Sequence, residues 1–319
     1  MPQYNPFSRK SDETIDFSQS GNLLSDLLLD ANLPFDVGTF EDFTFNVFAK
    51  SFPNYKFNSW YQHKICSIVD KVLAKPTNRY LLAALPRGHL KSTLIGYSGT
   101  IYSMLTGFGD GLYLSVKTEL ADYHLSNIKS AVRNNDLLSS VLYDLRPESD
   151  SGIHYRLGSK RMRMYGEGIL SAQRGRHFDF LAVVDDVLGD VANPLVLTEL
   201  DKAKRLFESE VIPTLNPGCP LFVYGTVMAE TDLLFDLRKN PLFEVIWYPA
   251  IDPDPEHDVL WPERFNRQAL EDTKSIVGWK SFSTEYLLVP LSSTEAFFTR
   301  DMLDPCIKKE LKSFQVPGW

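Results

Sequence analysis

Five short, continuously apolar runs constrain this chain more than any other feature. They are "RYLLAAL" (79–85), "GLYLSV" (111–116), "FDFLAVVDD" (178–186), "CPLFVYGT" (219–226) and "FEVIWYPAI" (243–251). A strand with water on one face alternates apolar and polar residues; these do not, so both of their faces are buried. Amphipathic stretches separate them. "WYQHKICSIVDKVLAK" (60–75) puts Ile65, Ile68, Val69, Val72 and Leu73 on one face. Residues 92–105 and 118–133 read as two more helices, with Thr118-Glu119 as a cap for the second, and a helix from about 196 ends at Pro213. Strands alternating with helices predict an α/β chain with a mainly parallel sheet covered by helices on both faces. "KRMRMYG" (160–166) differs: basic and apolar residues alternate, as in a strand with one exposed face. Residues 22–33 and 39–52 read as short helices, and no internal repeat or low-complexity tract is visible.

Past residue 251 the texture changes. "DPDPEHDVLWPERF" is rich in Pro and Asp and reads as a connection, and "RQALEDTKSIVGWKSFSTEYLL" as a last helical stretch. The expected division is an arm and helical portion at 1–57, a core at 58–251, and a small lid or linker region at 252–319. With 319 residues, 44% of them apolar, the chain can build a sizeable core. Its net charge of -8 restricts nucleic-acid contact to a local basic patch. Arg156, Lys160, Arg161 and Arg163 could form one, as could Lys129 and Arg133, though a solvated face is the plainer reading of these residues. Three widely spaced cysteines suggest a reducing, intracellular setting, and six scattered histidines predict no structural zinc. No apolar stretch approaches the ~20 residues of a membrane helix, and the polar N-terminus lacks the core of a signal peptide.

Two places carry chemistry. In "LLAALPRGHLKST" (81–93) an apolar strand breaks at Pro86, and Lys91, Ser92 and Thr93 open a helix. A phosphate-binding loop needs that order: a strand, a tight turn with inward N–H groups, and a helix N-terminus facing the anion. Lysine then reaches the β- and γ-phosphates and the next hydroxyl holds Mg²⁺. The usual glycines are replaced by Leu85 and Leu90, Gly88 is the sole glycine of the turn, and Arg87 adds a charge. A plain strand-to-helix turn is the alternative. The second place is the strand ending in Asp185-Asp186, about 90 residues on. Adjacent carboxylates repel, so a buried strand ending in two of them needs a cation nearby. The first acid at such a strand end holds Mg²⁺, and the second can take a proton from an attacking water. The alternative is a helix cap after the strand.

These residues, in this order, resemble the ATPase region of tailed-bacteriophage terminase large subunits, the motors that package DNA. "LPRGHLKST" is similar to that family's Walker A loop, which carries an arginine and few glycines. "GILSAQRGRHFDFLAVVDD" (168–186) resembles its arginine-glycine pair followed by a Walker B strand with two acids. "LSVKTELADYHLSNIKSAVRNNDLL", "LFVYGTVMAETDLL" and "LWPERFNRQALEDTKSIVGWKSFSTEYLLVP" resemble the segments around them, so that the likeness spans 58–290. The resemblance implies a P-loop NTPase fold of the RecA-like (ASCE) class with a helical lid. It implies ATP and Mg²⁺ as ligands, with Pro86, Arg87, Gly88, His89, Leu90, Lys91, Ser92 and Thr93 forming the loop. Ser92 and Asp185 would hold Mg²⁺, and Asp186 stands where the family has its catalytic acid. Arg174 would reach a neighbouring subunit's ATP, with Arg176 as fallback. Gly225-Thr226 would be the coupling motif, and Gln62 would read adenine with Trp60 or Tyr61 stacked nearby.

The implied partners are double-stranded DNA, further copies of the chain in a ring, the portal protein and the small terminase subunit, with no membrane. The implied location is the cytoplasm of an infected bacterium, with transient attachment to the procapsid. One departure stands out: the family's RNase-H-like nuclease has no counterpart after Pro290, so no DNA cleavage is expected of these residues. A helicase, which needs a second sheet core, and a non-hydrolysing nucleotide-binding scaffold are the alternative readings.

Overall fold

The computed structural model of the chain describes residues 33–55, 57–145, 152–171, 175–186, 197–227 and 232–290. The expected helix at 22–33 and the tail after 290 therefore lie outside the described residues, apart from Leu33. The first helices are α1 (Phe40–Asn46) and α2 (Trp60–Leu73). β1 (Tyr80–Ala84) follows and feeds a turn, a π-helical segment Ser92–Tyr97 and α3 (Ser98–Thr106). β2 (Gly109–Ser115) precedes α4 (Thr118–Arg133) and the single turn α5 (Asp136–Ser139). A meander of β3 (Tyr143–Asp144), β4 (Ile153–Leu157) and β5 (Lys160–Gly168) comes next. Then come β6 (Leu181–Asp185), α6 (Leu197–Leu206), β7 (Leu221–Gly225), α7 (Leu233–Arg238) and β8 (Phe243–Trp247).

The eight strands form one sheet in the order β3-β4-β5-β2-β6-β7-β1-β8. β5, β2, β6, β7, β1 and β8 run parallel, and β4 pairs antiparallel with both β3 and β5. Strand parity divides the core. Leu81, Ala83, Tyr113, Leu181, Val183, Phe222 and Tyr224 face α1 to α4. Leu82, Ala84, Leu112, Leu114, Ala182, Val184 and Val223 face the other way, against Phe207 and Leu234. Side chains alternate along a strand, so an unbroken apolar run buries both sets. The alternating strand behaves differently, as its sequence requires: on β5 Met162 and Met164 are buried while Arg161 and Arg163 stand exposed.

Three details depart from the sequence reading. The connection after 251 contains a hairpin of β9 (Ile251–Asp254) and β10 (His257–Val259). Lys117, not Thr118, stands at the cap of α4, and the Thr118 hydroxyl instead accepts the N–H of Gly168 at 3.1 Å. The last helix, α8 (Arg267–Glu285), is kinked at Gly278, whose φ is +79°. No helix among the described residues is long and apolar enough to cross a membrane.

Candidate nucleotide site

Parallel strands deliver their carboxyl ends to one edge of the sheet, and that edge of an open α/β sheet is where ligands bind. β1 ends there in the 85–91 loop, β6 in Asp185 and Asp186, and β7 in Gly225 and Thr226. β7 lies between β1 and β6, so the lysine loop and the acids approach each other across its end. Lys91 Nζ lies 2.9 Å from Asp186 Oδ2 and donates to Thr226 Oγ1 at 3.1 Å. The Ser92 hydroxyl donates to Asp185 Oδ1 at 3.3 Å. Asp186 adopts a left-handed conformation, φ +47°, and its Oδ1 accepts the Thr226 N–H at 2.8 Å. That approach needs Gly225, because a Cβ there would lie 2.9 Å from Asp186 Oδ1.

The loop is built to expose its backbone. Gly88 and Leu90 both have positive φ, +77° and +59°. Leu90 is an uncommon choice, since a branched side chain disfavours that region. Among the described residues, the N–H groups of Gly88, Leu90, Lys91 and Ser92 have no acceptor within the protein. Four such donors at the start of a helix form an anion-binding concavity. The loop's other side is anchored. His89 is fully buried, stacked on Phe265 with ring centroids 4.8 Å apart, and its Nδ1 lies 3.0 Å from the Arg87 carbonyl. Burial pushes the His89 imidazole down to about 4, so it is neutral at pH 7. Arg87 ties the loop to α8: its Nη1 contacts Glu285 Oε1 at 3.0 Å, and its N–H donates to the Glu285 carbonyl at 3.0 Å.

The two acids differ sharply in setting. Asp185 is 1% exposed, and burial, then the neighbouring Asp186 charge, push its carboxyl well above the ordinary carboxylate range against the pull of Lys91. Tyr113 donates to its Oδ2 at 2.7 Å, and His124 Nε2 lies 3.5 Å from the same atom. A cation at Asp185 would remove the cost of burying that charge. The donor set fits Mg²⁺: hydroxyl and carboxylate oxygens are its hard ligands, and the free N–H row fits the phosphates such an ion accompanies.

The remaining expected site residues fall into three groups. Pro86 and Thr93 flank the loop, beside the described donors. Gln62 is fully buried, with its Oε1 accepting the Ser59 N–H at 3.1 Å, so it closes the first turn of α2. Trp60 stacks on His257 of the hairpin at 3.7 Å and 9°, and the Tyr61 hydroxyl donates to the His89 carbonyl at 3.2 Å. Arg174 lies outside the described residues. Its fallback Arg176 pairs with Glu167 at 2.7 Å and lies over the Tyr165 ring. On the basic wing, Arg163 makes two 2.7 Å bonds to Asp110, and Arg156 lies over Tyr143. Sequence reading missed Tyr113, Tyr224, His124 and Glu285. The tyrosines had a signal: a hydroxyl inside an otherwise aliphatic run must find a buried partner.

Lys91 and Ser92 after β1 and the paired acids at the end of β6 thus meet at one edge of the sheet, with β7 between the two strands. No family model matches the sequence, and no curated protein matches it. Among solved structures, the chain is similar to an ATPase-domain variant of the Thermus phage P74-26 large terminase, at 12% identity and a TM-score of 0.48, over 75% of this chain and 96% of that one. It is similar to the HK97 bacteriophage large terminase at 14% identity and a TM-score of 0.47, over 72% of this chain and 50% of that one. It is also similar to the large terminase of a thermophilic bacteriophage in complex with ADP, at 11% identity and a TM-score of 0.49, over 73% and 53%. The chain thus spans about half the length of the longer large terminases it matches.

Proposed function

We propose that this chain is a Mg²⁺-dependent ATP hydrolase whose cycle drives double-stranded DNA into a viral procapsid. The observation that supports it is the meeting of Lys91, Ser92, Asp185, Asp186 and Thr226 at one sheet edge, beside a loop with four unused N–H donors. The motor half of the proposal rests on the resemblance of the motifs and their order to terminase large subunits.

In this reading the 86–93 loop holds the triphosphate through its backbone N–H groups and Lys91. Ser92 and Asp185 would hold Mg²⁺, which neutralises phosphate charge when bound. Lys91 leaves Asp186 to meet the phosphates. Asp186 then has a free carboxylate oxygen to orient water and accept its proton, as a general base does. Its other oxygen keeps hold of the Thr226 N–H, so events at the phosphates reach the segment after β7. Arg174 of a neighbouring copy would stabilise the transition state, which can be worth ~10³ in rate or more. The chain would then work as a ring on the portal, with the small terminase subunit delivering DNA, in the host cytoplasm.

Phosphate release measured with and without Mg²⁺ tests this. Turnover requires Mg²⁺ and falls on the order of 10²-fold or more in Lys91→Ala and in Asp186→Asn, and double-stranded DNA raises the wild-type rate. Nucleotide binding without turnover, even at concentrations that assemble a ring, would instead identify a nucleotide-binding scaffold.

A further inference from the structure

Behind the acid assigned to Mg²⁺ lies a buried polar circuit that the proposed reaction leaves unused. Tyr113 in β2 and Tyr224 in β7 flank β6, and both are buried, at 0% and 1% exposed. The Tyr113 hydroxyl donates to Asp185 Oδ2 at 2.7 Å and lies 2.9 Å from the Tyr224 hydroxyl. Since Tyr113 spends its proton on the carboxylate, Tyr224 donates to Tyr113. His124 Nε2 approaches the same Oδ2, and its Nδ1 lies 2.8 Å from the Tyr97 hydroxyl. The two carboxylate oxygens therefore have separate duties: Oδ2 faces the buried hydroxyl, and Oδ1 faces Ser92. The helix after the loop makes room for this. A Cβ on Gly96 would lie 2.0 Å from the Tyr224 hydroxyl. Burying two hydroxyls costs free energy that two phenylalanines would avoid, unless each is bonded.

We propose that Tyr113, backed by Tyr224, is a positioning residue that fixes the Asp185 carboxylate so that Oδ1 is presented with Ser92 to the metal. The proposal rests on the Mg²⁺-nucleotide reading of the site. Partners behind a metal ligand set its orientation, and losing one costs about 10–100-fold in metal affinity.

The test titrates Mg²⁺ against binding of a fluorescent ADP analogue to the full chain. Tyr113→Phe raises the Mg²⁺ concentration at half-saturation on the order of tenfold, while Mg²⁺-free analogue binding stays within about twofold. Tyr224→Phe gives a smaller shift in the same direction, and the double variant gives no more than Tyr113→Phe, because the two act through one contact. Tyr155→Phe, a buried tyrosine of β4 away from the site, leaves half-saturation unchanged. Should Tyr113→Phe fail to fold, Tyr224→Phe carries the test. An unchanged half-saturation in the folded variants, with wild type showing Mg²⁺-dependent binding, overturns this proposal alone. Wild type that binds the analogue with no response to Mg²⁺ overturns it together with the metal reading.

Discussion

At the scale of single residues the site depends on close approaches that leave little room. Gly225→Ala would set a Cβ 2.9 Å from Asp186 Oδ1, so Asp186 must retreat from the Thr226 N–H. Such overpacking costs about 1–3 kcal/mol; urea unfolding measures that, and turnover falls with it. His89 gives a pH signature. Its folded value, pushed from 6.5 to about 4 by burial, lies below the unfolded one, so the unfolded chain binds the extra proton between those limits. His89 therefore contributes stability that is present above pH 6.5 and lost as pH falls toward 4, at up to about 1.4 kcal/mol per pH unit. Asp185 has the opposite sign: its raised value means that stability is gained as pH falls. Wild type and His89→Phe share the Asp185 contribution, so urea midpoints at pH 7, 5.5 and 4.5 isolate the histidine. The variant gains on wild type as pH falls. That Lys91, Ser92, Asp185 and Asp186 meet was readable from the two motifs taken together, since each alone has an ordinary reading as a turn or a cap while a buried acid pair calls for a nearby cation. Gln62 was legible only as a polar residue on a helix. Its burial beside Ser59 depends on how the helix start packs, and no spacing encodes that.

Among the elements, α8 links the loop to the last described part of the chain. Its kink is backbone-driven: Gly278 has φ +79° and nothing within 4 Å of where a Cβ would stand. Gly278→Ala therefore adds strain without a clash, and costs about 1 kcal/mol in urea unfolding if α8 keeps its kink. A rise in stability would mean that α8 straightens. The Arg87–Glu285 pair is half open to solvent, with the arginine side chain 59% exposed, and such pairs contribute about 0–1 kcal/mol. Glu285→Gln removes the charge of this pair and should leave the melting temperature within a few degrees, which a thermal scan checks. The strands and helices of the core were readable because burial on two faces leaves an unmistakable apolar run. The β9–β10 hairpin was not. Its Pro- and Asp-rich segment carries turn signals throughout, and its pairing is short and irregular.

For the whole molecule, the parallel sheet was foreseeable and its strand order was not. Order depends on which helices cross which face, and the apolar runs are too alike to encode it. The packing that results is close. Phe222 is fully buried at the centre of the sheet, and a Cβ on Gly99 would lie 2.9 Å from its ring. Phe222→Ala should cost about 3–5 kcal/mol in urea unfolding. The strand order also has a consequence in time. β1 pairs only with β7 and β8, Tyr80 lying opposite Leu221 and Phe243. During synthesis the ribosome must deliver nearly all of the sheet before β1, the strand that feeds the loop, has another strand to pair with. A nascent chain released before β7 emerges would hold every loop residue and both acids, yet leave β1 without a strand on either side.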